Sequence, residues 1–103
     1  MMLAQWNIDA KFGHKEHVIA SLKKWQQEIG RELGWSDDKV RMITGSIGVA
    51  ESRICTEVVF ENMAELDASW KKLGEIPAHA QWSTELEPFV ISGSMYWQIY
   101  RVL

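Results

Sequence analysis

Hydrophobic and polar residues change their spacing several times along the chain, and the changes mark out the elements. Residues 2–10, MLAQWNIDA, alternate loosely between apolar and polar and predict a strand, which Gly13 closes off. From His14 the spacing lengthens. Val18, Leu22, Trp25, Ile29 and Leu33 fall on one stripe of an amphipathic helix, opposite Lys15, Lys23, Lys24, Gln27 and Arg31. Gly34 suits the position that ends such a helix, and WSDD then reads as a polar loop. Residues 39–47 and 53–61 predict two strands joined by GVAES as a hairpin with a long loop. Asn62 with Glu65 forms a capping-box-like pair ahead of a stripe of Met63, Leu66, Trp70 and Leu73, which Gly74 stops. Pro77 suits the first turn of another helical piece, which must end before Pro88. On that piece His79, Trp82, Leu86 and Phe89 share one face. SMYWQIYRVL, residues 94–103, predicts a last strand.

The order strand, helix, strand, strand, helix, strand predicts an α+β domain of the ferredoxin-like βαββαβ kind, with a four-stranded antiparallel sheet and helices on one face. Its other face would be bare, and the second, third and last strands offer no clean polar set to cover it. Val40 and Met42 oppose Ile43 and Ile47; Ile54, Val58 and Phe60 oppose Cys55 and Val59; Met95, Trp97 and Ile99 oppose Tyr96, Tyr100 and Val102. Whichever parity faces the helices, the other keeps apolar residues, and monomers rarely expose large apolar patches. A homodimer packed sheet to sheet is therefore expected.

At 103 residues the chain suits one domain, 1–103, without linker or internal repeat. Eleven basic against fourteen acidic residues supply no positive excess for phosphates, so nucleic acid is not an expected partner. MMLAQWNIDAKFG does not read as a signal peptide, and no apolar run is long enough to span a bilayer. A single cysteine, Cys55, excludes an intrachain disulfide and favours a reducing cytoplasm; no basic neighbour marks it as a nucleophile.

His79 is the residue whose chemistry stands out, because helical spacing turns it inward between Trp70 and Trp82. It reads either as a satisfied core histidine or as an acid–base group or ligand. Asn7 is either a strand residue meeting backbone partners or a polar group of a cleft. Trp70 and Trp82 read as core residues that could also wall a pocket. His14 and His17 are spaced as a metal pair without a third ligand, and no metal is expected. Glu57 and Arg101 lie in strands and suggest structural ion pairs, while Tyr96 and Tyr100 suit an interface. TGSIGVAES has neither the lysine nor the following helix of a phosphate loop.

The short first strand, FGHKEHVIASLKKW, VVFENMAELDASW and AHAQWSTELEPFV together resemble the dimeric α+β barrel superfamily over nearly the whole chain, on its NIPSNAP-like and antibiotic-biosynthesis-monooxygenase-like branches. The resemblance implies a cytoplasmic homodimer with a cleft between sheet and helices that binds a small, largely apolar molecule. It implies cofactor-independent oxygenation or isomerisation, with His79 as base or donor, Asn7 orienting the substrate, and Trp70 and Trp82 as walls. Haem-degrading members place an Asn, a Trp and an iron-binding His where Asn7, Trp70 and His79 stand. That leaves a haem protein using His79 as one alternative and a non-catalytic dimeric interaction module as another. The Trp-to-His spacing is one residue shorter than in the haem branch, and Pro77 intervenes.

Overall fold

A computed structural model describes all residues, 1–103. Strand β1 (Met2–Asp9) leads to helix α1 (Lys15–Trp25), which continues through one wide π turn (Gln26–Gly30) and a tight 3₁₀ turn (Arg31–Leu33). Strands β2 (Val40–Thr44) and β3 (Arg53–Phe60) form the hairpin. Helices α2 (Met63–Leu73) and α3 (Pro77–Leu86) follow, and β4 (Tyr96–Arg101) ends the fold. The sheet order is β2-β3-β1-β4 with every neighbour antiparallel, the ferredoxin-like arrangement the element order predicts.

Local chemistry explains the boundaries. Gly34 takes φ +84°, where a side chain would be strained, and the chain closes α1 with bonds from Gly34 N–H to Arg31 and from Trp35 N–H to Gly30. This is the paired-carbonyl ending in which the residue after the glycine packs back on the helix. Trp35 does so: it is 1% exposed and belongs to the core, not to the polar loop expected there. At α2, Asn62 Oδ1 accepts from Glu65 N–H, while the Glu65 carboxylate reaches Glu61 N–H, so the capping box is displaced by one residue at its return arm. Met63, expected on the inward stripe, is 43% exposed; Leu66 and Ser69 are the buried residues of α2.

Burial decides the parity of each strand. Ala4, Trp6, Ile8, Ile54, Val58 and Phe60 are buried against Val18, Leu22, Trp25 and Ile29 of the first helix. Alternation then sends Leu3, Gln5, Asn7 and Asp9 of β1, with Cys55, Glu57 and Val59 of β3, to the face without helices. That open face carries Ile43, Tyr96 and Tyr100 at 41%, 40% and 52% exposure. Polar residues interleave with them: Glu57, although buried, accepts from Gln5 Nε2 at 2.8 Å and pairs with Arg41. The expected strand charge Glu57 is thus satisfied within one chain.

Candidate functional site

The side of the sheet that bears the helices is filled by indoles. All six tryptophans touch: Trp6 contacts Trp25, Trp82 and Trp97, Trp35 contacts Trp25 and Trp97, and Trp70 meets Trp97, with ring centroids 5.2–6.2 Å apart. Edge-to-face and offset contacts at these distances add to what burial alone contributes. This cluster fills most of the cleft expected between sheet and helices; a recess of about 280 Å³ remains beside Ile8, Trp82, Leu86 and Val90, and neither His79 nor Trp70 lines it.

His79 does lie inward, as its spacing predicts. Trp25 Nε1–H donates to His79 Nδ1 at 3.0 Å, and the imidazole stacks on Trp82 with centroids 5.8 Å apart. Trp82 in turn donates from Nε1 to Ser21 Oγ at 2.9 Å. These two bonds tie α3 to α1. An Nδ1 that accepts fixes the tautomer with its proton on Nε2, so in this arrangement neither ring nitrogen offers a free lone pair. Burial holds the His79 pKa below its usual value, which favours the same neutral ring. By contrast, the buried Nε1 atoms of Trp6, Trp35 and Trp70 have no partner.

Asn7 stands apart from that group. Its neighbours Trp6 and Ile8 face the helices, so strand alternation turns Asn7 to the open face, where it is 4% exposed. The sheet itself separates it from His79, Trp70 and Trp82. The expected substrate cleft combining all four is therefore not formed within the chain; the three helix residues share one side and Asn7 holds the other.

Asn7 instead lines a recess of about 430 Å³ on the open face, beneath the loop joining β2 to β3. One row of residues crosses all four strands at its floor: Ile43, Cys55, Asn7 and Tyr96, each paired with the next. Ile47 and Val49 of the loop, 96% and 49% exposed, form an apolar rim. Arg53 is held by both oxygens of Asp9, at 2.5 and 3.2 Å, and donates to the Tyr96 hydroxyl at 2.6 Å. The hydrogen bond to Asp9 is the main reason its pKa is raised. Burial, aided by the Glu57 charge, pushes the Cys55 thiol up to about 11, which keeps it protonated and a poor nucleophile. Sequence reasoning did not single out this recess, since it depends on a register that periodicity does not provide. His14 and His17 pack against the Phe89 ring, with centroids 5.3 and 4.0 Å away. No helix is long and apolar enough to cross a membrane.

No protein-family model matches the sequence, and no curated protein matches it. Solved structures do resemble the fold. A NIPSNAP family protein from Agrobacterium tumefaciens superposes with a TM-score of 0.77 at 14% identity, over 100% of this chain and 94% of that one. An uncharacterized NIPSNAP domain protein from Burkholderia xenovorans gives 0.71 at 13% identity, over 100% and 95%. An antibiotic biosynthesis monooxygenase gives 0.69 at 7% identity, over 100% and 99%. Likeness of this extent at such low identity establishes a shared architecture: the chain has the ferredoxin-like α+β fold of NIPSNAP domain proteins and antibiotic biosynthesis monooxygenases.

Proposed function

We propose that this chain is a homodimeric small-molecule-binding protein whose two copies meet through their open sheet faces, with the ligand in the recess under the β2–β3 loop. One observation carries it: the recess is bordered by apolar side chains with nothing to cover them, Ile43, Ile47, Val49 and Tyr96, the loop tip Ile47 being 96% exposed. A second copy related by a two-fold axis would cover them with the same surface. The face carries both Arg53 with Asp9 and Arg41 with Glu57, so like charges need not oppose each other across such an interface. Pockets for small ligands are concave, largely apolar and furnished with a few polar groups, and this recess has that make-up.

Oxygenation, suggested by the monooxygenase among the fold neighbours, is the activity to assay first. Asn7 and His79 lie on opposite sides of the sheet, so one ligand cannot touch both, and binding is favoured over chemistry based on that pair. The occupied Nδ1 of His79 also weighs against iron coordination; titration with hemin is expected to give no Soret shift that depends on His79. The tryptophan-filled interior supports the alternative of a non-catalytic dimeric interaction module, to which a dimer without ligands would point. Sedimentation equilibrium across protein concentrations tests the assembly. A dimer at micromolar concentration is expected, and a monomer there rules the proposal out.

A further inference from the structure

The recess holds a polar group that is almost wholly buried and yet unspent. Asn7, 4% exposed, donates from Nδ2 to the Gln5 carbonyl at 3.3 Å, and its Oδ1 accepts no hydrogen bond from the protein. That oxygen is open to the recess, so a ligand there can reach it without displacing a protein partner. The Gln98 amide, two residues from Tyr96 on the same face, also lines the recess without a protein partner. The charged groups nearby are already matched: Arg53 is neutralised by Asp9, and Glu57 is neutralised by Arg41 and accepts from Gln5. The floor therefore offers uncharged donors and acceptors inside an apolar rim.

We infer that the recess binds an uncharged molecule with an amide-like group, one that both donates and accepts hydrogen bonds and carries a small apolar or aromatic body, and that Asn7 is the residue that recognises it. This rests on the open-face binding site proposed above and specifies its ligand class. A secondary amide fits because its N–H can meet Asn7 Oδ1 while its carbonyl meets a carboxamide N–H. The apolar body would lie against Ile43 and the loop residues Ile47 and Val49. An anion finds no unneutralised cation there, and a cation finds no unpaired carboxylate.

The test compares N-methylbenzamide with benzoate, which have similar bodies and differ in charge, on the intact chain by amide chemical-shift titration, with oligomeric state measured on the same samples. N-methylbenzamide is expected to shift signals along the Asn7, Cys55 and Tyr96 row and to bind at least about tenfold more tightly than benzoate. Asn7→Ala is expected to weaken N-methylbenzamide by about tenfold while the dimer persists. Benzoate binding in the recess as tightly as the amide would overturn the ligand class but leave the binding site standing. Unchanged amide binding in Asn7→Ala would overturn the role of Asn7. Shifts absent with both probes would overturn the class and the site together, whatever the oligomeric state. The wild-type comparison of the two probes does not depend on any variant folding.

Discussion

Trp25 and His79, 54 residues apart, are joined by a hydrogen bond in which the indole donates to imidazole Nδ1. The bond connects the middle of the first helical segment to the first turn of α3. It explains why a histidine sits on an apolar stripe: the ring supplies the one acceptor that a fully buried tryptophan needs there. Protonating Nδ1 would turn that acceptor into a donor facing a donor.

A pH dependence follows from that geometry and its sign is fixed. The folded pKa of His79 lies below the value of about 6.5 expected when unfolded, so the unfolded chain takes up the proton first. The contribution of His79 is fully present above pH of about 6.5 and declines as pH falls from there toward the lowered folded pKa. Urea unfolding of the wild type and His79→Gln between neutral pH and mild acid should show the wild type losing stability more steeply. Equal slopes would remove His79 as the cause.

Trp25 and Trp35 offer a matched comparison, because both are 1% exposed but only Trp25 has its N–H bonded. Replacement by phenylalanine removes similar volume at each site. Trp25→Phe also forfeits a hydrogen bond, whereas Trp35→Phe discards an unsatisfied buried donor. Trp25→Phe should therefore be the more destabilising by about 1–2 kcal/mol in chemical denaturation. The reverse order would mean that ring packing outweighs the hydrogen-bond difference.

Gly45 is the tightest point of the β2–β3 loop. A Cβ there would lie 1.8 Å from the Ala50 carbonyl oxygen, a backbone atom with no room to move aside. Gly45→Ala should cost about 1–3 kcal/mol, as overpacking does, and should shift the loop that carries Ile47 and Val49. Loss of N-methylbenzamide binding together with a lowered thermal midpoint is the expected pair of results. Wild-type stability in this variant would show that the loop adjusts freely.

Asp9 neutralises Arg53 at the edge of the recess. Asp9→Asn leaves a guanidinium with its charge uncompensated, close to the Tyr96 hydroxyl. This variant should gain affinity for benzoate by several fold while keeping that for N-methylbenzamide. Calorimetric titration of both probes reads the outcome, and unchanged benzoate affinity would mean that Arg53 does not face the ligand.

Much of the fold was legible because its signals are local. The four-three-four spacing from Val18 to Leu33 marks a helix face, Asn62 marks a start, and Pro77 marks a restart. The inward position of His79 is legible for the same reason. Family resemblance groups Asn7 with it, although alternation with Trp6 and Ile8 offers the relevant clue: once those two face the helices, Asn7 cannot. The parity is written in β1 itself, where Met2, Ala4, Trp6 and Ile8 are all apolar while Gln5, Asn7 and Asp9 are polar. The burial of Trp35 is not legible from WSDD, which is polar on average. The signal that could have found it is its place immediately after Gly34, where a helix ending of this kind calls for an apolar anchor.

The contact among all six indoles also determines what light absorbed by this protein can report. Rings this close share excitation, so no tryptophan emits as an isolated chromophore. The near-ultraviolet circular dichroism and the fluorescence should therefore behave as one collective signal, sensitive to the seating of every helix on the sheet at once. A ligand on the opposite face would leave that signal almost unchanged, whereas a change at His79 would register in it directly.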